Sequence, residues 1–186
     1  MAKRLDKILV VDVESTCWEG DPPGGQESEI IEIGLCVLDI ATCQRLEKRS
    51  IIVRPERSTV SAYCTALTTL TQEDVEGGIS LSEACHILTR EYRSKQRLWA
   101  SYGDYDRRQF ERNCQACGVA YPFGPGHINV KSLFAVIRAL RREVGMKKAL
   151  EILGLPLEGT HHRAGDDAWN IAGILGELLL RARWVG

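Results

Sequence analysis

A chain of 186 residues, 44% of them apolar, is long enough to bury one sizeable core and predicts a single domain spanning residues 1–186. Its 24 basic and 25 acidic residues leave a net charge of −1, which excludes bulk electrostatic attraction as the basis for holding a polyanion and leaves that task to local patches. No apolar run is long enough to cross a bilayer, the leading "MAKRLDKI" lacks the apolar segment of a signal peptide, and seven scattered cysteines suit reduced thiols, so the sequence predicts a cytoplasmic protein without a membrane partner.

The first element is a short run of aliphatic and β-branched residues from Lys7 to Glu14, the pattern of a buried strand. Asp12 and Glu14 stand two positions apart near its end. Residues i and i+2 project from one face of a strand, so the two carboxylates crowd together while Val11 and Val13 face the other way. Like charges at that spacing repel unless a cation lies between them. The alternative is that the strand stops at Val11 and both acids are solvated. The loop "CWEGDPPGGQES" follows, irregular by its Pro and Gly content. "EIIEIGLCVLDI" and "KRSIIVRP" predict two further strands with a turn at 41–44, an antiparallel three-strand start.

Helices come next. "TQEDV" opens with Thr71 as a cap and Asp74 three positions on, and "SLSEACHILTREYRSK" has helical periodicity after a Ser cap. "RLWASYG" reads as a fourth strand, "DYDRRQFERNCQACG" as a helix and "HINV" as a short fifth strand. Helices around "SLFAVIRALRREV" and "KKALEILG" precede a last one from about Asp166 to Arg183. The order predicts an α/β domain: a mixed five-stranded sheet, three antiparallel strands then two parallel, with helices on both faces.

Two more acidic pairs fall at helix starts, Asp104 with Asp106 and Asp166 with Asp167. Asp104 and Asp166 are the better placed as caps, which frees Asp106 and Asp167 to point elsewhere. His162, five residues before Asp167, belongs to the loop "HHRAG", with the chain turning at Gly165. Cys114 and Cys117 form a lone CxxC at a helix end and read as small buried hydrophobes, since a zinc site wants a second pair. The basic stretches "REYRSKQR", "RRQFER" and "RALRREVGMKK" read as solvated faces compatible with phosphate contacts. Trp18, Trp99, Trp169 and Trp184 read as core or rim residues.

The ordered set of DxE, a strand followed by "DYD" and a helix, and then H-x4-D resembles the signature of the DEDDh 3′–5′ exonucleases, the proofreading-exonuclease and RNase T superfamily with an RNase H-like fold. More narrowly, "VDVESTCWE…SEIIEIG", "SAYCTALTTLTQEDV", "GDYDRRQF", "INVKSLF" and "LEILGLPLEGTHHRAGDDAWNIA" are similar to the histone-mRNA exonuclease or Eri-type exoribonuclease subfamily. Carried over position by position, the resemblance makes Asp12, Glu14, Asp106 and Asp167 the metal-holding acids and His162 the catalytic histidine. It implies a nuclease that releases nucleoside 5′-monophosphates from the 3′ ends of single-stranded RNA, or DNA, with two Mg²⁺ ions per site and Mn²⁺ as a substitute. Asp12 would bridge the ions, Glu14 and Asp167 complete one shell, Asp106 support the other, and His162 take the proton from the attacking water. Ser15, Thr16 and Cys17 would line the 3′-terminal nucleotide and Tyr105 stack on the last base. Two departures stand out. "LTT" occupies the place where the subfamily usually has Leu-Thr-Gly, which leaves the backbone at Thr69 open. No appended RNA-binding domain precedes the first strand, so stem-loop specificity is not expected. A DNA-trimming or proofreading exonuclease, and a relative that binds nucleic acid without cutting it, are the competing readings.

Overall fold

The computed structural model describes residues 4–183. Five strands, β1 Arg4–Ser15, β2 Ile30–Asp39, β3 Arg45–Ile52, β4 Arg97–Ser101 and β5 His127–Asn129, form one sheet in the order β3-β2-β1-β4-β5. β1, β2 and β3 pair antiparallel, and β4 and β5 join parallel to β1. The sheet is therefore the mixed one that the alternation of elements predicts.

Side-chain alternation along β1 separates two cores. Leu9, Val11 and Val13 pack under α3 (Leu81–Arg90) and α4 (Tyr105–Ala116), with Phe110 and Trp99. Ile8 and Val10 face the opposite layer, formed by α5 (Val130–Ile137), α6 (Met146–Leu153) and α7 (Ala164–Arg183). Asp12 and Glu14 continue the row of Ile8 and Val10, at the end of the strand where that row runs out of apolar cover.

The caps follow the sequence in some places and depart from it in others. Thr71 and Ser80 cap α2 (Gln72–Glu76) and α3 as their sequence positions predict, each in a capping box, with Asp74 and Glu83 respectively. Asp104 makes no capping hydrogen bond on α4 and pairs with Arg107 at 3.2 Å instead. Asp166 reaches back out of α7, accepting from the Thr160 N–H at 2.6 Å and pairing with Lys48. The helix α1 (Ala62–Thr68), capped by Ser61, was not expected. It is under two turns long, too short for its periodicity to register.

The final helix starts at Ala164 rather than Asp166, so Gly165 lies inside it and the turn falls at His162, whose φ is 64°. Gly34 makes this possible. A Cβ there would sit 1.8 Å from the Ala164 carbonyl oxygen, so only glycine lets the start of α7 touch β2. Gly34 is the register partner of Asp12. The close approach thus sets the first turn of α7 beside the first acid of β1.

The described tryptophans keep to core and rim. Trp99 is buried and stacked on Phe123, while Trp169 lies under Arg45 and donates to Glu158. Trp18 is half-buried and Trp184 lies outside the described residues. Cys114 is buried against Cys85, and Cys117 is half-buried beside Arg57.

Candidate active site

Three elements converge at the carboxyl end of β1, where parallel β1 and β4 both end, the usual place for a site in an α/β sheet. β1 supplies Asp12 and Glu14. The first turn of α4 supplies Asp106, 4% exposed, whose carboxylate accepts the Val13 N–H at 3.0 Å. β4 stops pairing with β1 at Val10, so Asp106 satisfies a backbone donor that the sheet leaves open. The first turn of α7 supplies Asp167, also 4% exposed. Carboxylate oxygens of Asp12, Glu14 and Asp167 lie within 4.8 Å of one another.

The cluster is short of compensating charge. Burial, reinforced by Asp106, Glu14 and Asp167, pushes the Asp12 carboxyl well above the usual carboxylate range. Burial and then Asp167, Glu32 and Asp106 push Glu14 up to about 8. Asp106 is raised to about 6, burial outweighing the hydrogen bond from Val13. Arg163, the guanidinium that lowers Glu14, is itself committed to Glu32. Closely set buried carboxylates whose ionised forms are this disfavoured are suited to a hard divalent cation, which favours oxygen ligands and restores the missing positive charge. His161, His162 and Asp167 also offer donors within 4.8 Å, but two imidazoles and one carboxylate suit a softer ion better than Mg²⁺.

The two histidines differ. His161 Nδ1 lies 2.9 and 3.0 Å from the two Asp167 oxygens, while His162 contributes its backbone N–H to Asp167 at 3.0 Å. Their rings stack with centroids 3.9 Å apart. Burial and the neighbouring His161 lower the His162 pKa, which keeps its ring neutral and able to accept a proton near pH 7.

These groups line a cleft of about 330 Å³ together with Ser15, Cys17 and Tyr105. Tyr105 is 53% exposed at its rim. The Ser15 hydroxyl is buried beside the Tyr105 side chain. Thr16 is not part of the wall: it is fully buried, and its hydroxyl bonds Ser58 and the Glu29 N–H. The bulge in β1–β2 pairing between Glu14 and Ser15 marks where the strand's alternation is interrupted.

Sequence reasoning missed Glu32, 1% exposed on β2 opposite Glu14. It accepts from Arg163 Nε at 3.1 Å, the Ala164 N–H at 3.1 Å and the Ser50 hydroxyl, anchoring the histidine loop to the sheet. The signal was an acid inside the apolar run "EIIEIG", the same anomaly as Asp12 and Glu14. Arg163 also reaches Thr69 at 3.5 Å. Thr69 adopts φ 65°, the left-handed conformation a glycine would supply, and its N–H closes α1 on the Thr65 carbonyl. Leu67 and Met146, unremarkable in sequence, complete the cleft wall.

Comparison with known proteins places this geometry. The family model described as Exonuclease, of the RNase T type, matches residues 9–175. The chain is 30% identical over 185 residues to 3′-5′ exoribonuclease 1 of Homo sapiens, covering 94% of this chain and 52% of the human protein, so it spans about half that relative's length. The crystal structure of the nuclease domain of 3′hExo, a DEDDh family member bound to rAMP, superposes with a TM-score of 0.87 at 27% identity, covering 97% of this chain and 95% of that one. A structure of a 3′-exonuclease in 3′-end-specific recognition of the histone mRNA stem-loop gives a TM-score of 0.84 at 26% identity, over 97% of this chain and 65% of the other. The sheet and helices described above are thus those of the RNase H-like fold of the DEDDh exonucleases.

Proposed function

We propose, since the chain belongs to the RNase T exonuclease family, that it removes nucleotides one at a time from the free 3′ end of single-stranded RNA and releases nucleoside 5′-monophosphates. Members of this family depend on divalent metal. Asp12, Glu14, Asp106 and Asp167 would hold two Mg²⁺ ions, with Mn²⁺ able to substitute. When bound, the ions activate the attacking water and neutralise charge at the scissile phosphate. The chain's own residues do the rest. His162, neutral at pH 7 and facing the cleft, takes the proton from the attacking water. The Tyr105 ring gives the terminal base a face to stack on whatever its identity. Ser15 and Cys17 line the part of the cleft against which the terminal nucleoside rests.

One observation carries the reading: carboxylates from β1, α4 and α7, together with His162, meet in one small cleft and lack charge compensation. RNA is favoured over DNA by the relatives, an exoribonuclease and an rAMP-bound nuclease domain. The test uses 5′-labelled single-stranded RNA and DNA with Mg²⁺, Mn²⁺ or EDTA, the wild type beside Asp12→Asn. A ladder descending from the 3′ end of RNA with Mg²⁺, absent with EDTA and nearly absent in the variant, is the expected result. Near-normal turnover by Asp12→Asn, or efficient cutting of a circular strand, would overturn it.

A further inference from the structure

The cleft does not end at Tyr105. On their outer side Tyr105 and Tyr102 also bound a second hollow of about 780 Å³, which runs along α4 past Arg108, Glu111 and Arg112 and is flanked by Lys131 of α5. Arg112 and Gln115 in turn border a third hollow of about 610 Å³, closed by Gln26 and Ser28 before β2. Shared lining residues, Tyr102 and Tyr105 between the first two and Arg112 and Gln115 between the last two, set the three hollows in a row along α4, a trough beside the active cleft.

Its wall is a helical stripe. Tyr105, Arg108, Arg112 and Gln115 are spaced three, four and three residues apart, which places them on one face of α4. At 1.5 Å per residue the twelve residues of α4 extend ~18 Å, enough to follow a few nucleotides of extended strand. Arg108 and Arg112 are exposed, and neither forms an ion pair among the described residues. The Arg112 guanidinium donates to the Gln109 amide oxygen, a neutral partner that leaves its charge uncompensated. Asp104, the acid at the head of the trough, is matched by Arg107 at 3.2 Å, and Lys131 by Glu143 at 3.6 Å. Two carboxylates share the trough with these arginines, Glu111 beside both and Glu27 beside Arg112, and among the described residues neither is ion-paired with them. A protein whose net charge is −1 and whose cleft is lined with acids needs cations on the approach if it is to hold a polyanion, and these stand there.

We propose that this stripe is a binding site for the single-stranded nucleic acid immediately 5′ of the terminal nucleotide, with Arg108 and Arg112 contacting successive phosphates. The proposal rests on the exonuclease reading and extends it from one nucleotide to a track of several. It also gives a task to "RRQFER", one of the basic stretches read from sequence as a solvated face.

The experiment compares the wild type with Arg108→Glu/Arg112→Glu, and with Arg108→Gln/Arg112→Gln should the reversal disturb folding. Two substrates separate the sites: the p-nitrophenyl ester of thymidine 5′-monophosphate, which can fill only the terminal site, and 5′-labelled oligouridylates of two to eight nucleotides. Expected are ester hydrolysis within twofold of wild type, a KM for the octamer raised at least tenfold, and a KM that no longer falls as the strand lengthens. The slope of log KM against log salt should shrink by about 1.4, that is ~0.7 for each of two lost phosphate contacts. Identical length and salt dependence in variant and wild type would overturn the track while leaving the exonuclease reading intact. Equal damage to ester and octamer would also overturn it. A wild type that cleaves neither substrate would overturn both.

Discussion

His161 and His162 are chain neighbours with stacked rings, yet their hydrogen bonds divide the work between them. His161 points Nδ1 at the Asp167 carboxylate, so any effect it has on the proposed reaction would pass through that acid. The His162 ring keeps its nitrogens free among the described residues, and only its backbone N–H is spent on Asp167. His162→Ala should therefore lower kcat by roughly 10²–10⁴-fold with KM little changed, the range for a positioned general base. His161→Ala should instead weaken metal affinity by roughly 10–100-fold, as expected for a group that orients a ligand, and excess Mg²⁺ should recover most of the rate. Steady-state kinetics across a Mg²⁺ titration check both. Equal, metal-insensitive losses in kcat would mean that the base has been assigned to the wrong neighbour.

At the scale of elements, the histidine loop is held by a strap that runs from β2 to α1 through one side chain. Arg163 grips buried Glu32 with Nε and Nη2, at 3.1 and 3.3 Å, and touches Thr69 at the end of α1 with Nη1. Arg163→Ala would leave Glu32 with only the Ser50 hydroxyl and the Ala164 N–H. Because Arg163 is a third exposed, the loss should be below the ~3–5 kcal/mol of a fully buried pair, about 1–3 kcal/mol, read as a lower Tm. With His162 next in the chain and already at φ 64°, kcat should fall more than KM rises. Arg163→Lys keeps the charge but not the two-pronged grip, and should recover only part of each. Little of this strap could be read from sequence. The i, i+2 spacing exposed Asp12 and Glu14 because a strand's period is fixed by its backbone, whereas Asp106 and Asp167 were singled out at helix starts by giving their neighbours Asp104 and Asp166 the caps. Glu32 left the same mark, an acid within an apolar run, but its partners Arg163 and Ala164 lie far along the chain, so nothing nearby in sequence tied it to the site. The cap assignments of Asp104 and Asp166 failed because other partners outcompeted the helix ends, Arg107 three residues on in one case and, in the other, the Thr160 N–H with Lys48 from β3. The turn at His162 rather than Gly165 follows from packing too, since Gly165 and Gly34 are used for close approach between α7 and the sheet.

At the scale of the whole molecule, the acid cluster sets stability against function, and pH reports the balance. Without metal, Glu14 has a folded pKa of about 8 against ~4.3 in an unfolded chain. The folded state therefore binds more protons than the unfolded one between those values, and stability must fall as pH rises through the window. Asp39, Asp74, Glu83, Glu158 and Asp166 are shifted the other way, so their contribution is already complete above about pH 5 and does not change there. His162, lowered, works against the trend only up to ~6.5. Between pH 6.5 and 8.0 in EDTA the expected loss is on the order of 1–2 kcal/mol, or a few degrees of Tm for a chain of this length. Bound divalent metal stabilises the ionised cluster and must displace its protons, so the Tm gained on adding Mg²⁺ should grow over the same interval. Glu14→Gln removes one of the two strongly raised carboxyls, Asp12 being the other, and in that variant the EDTA slope should become shallower. Thermal melts of both proteins at the two pH values, with EDTA and with Mg²⁺, make the check. A metal-free wild type more stable at pH 8.0 than at 6.5 would show that the cluster carries its charge without strain, and would remove the reason for supposing that it waits for a cation.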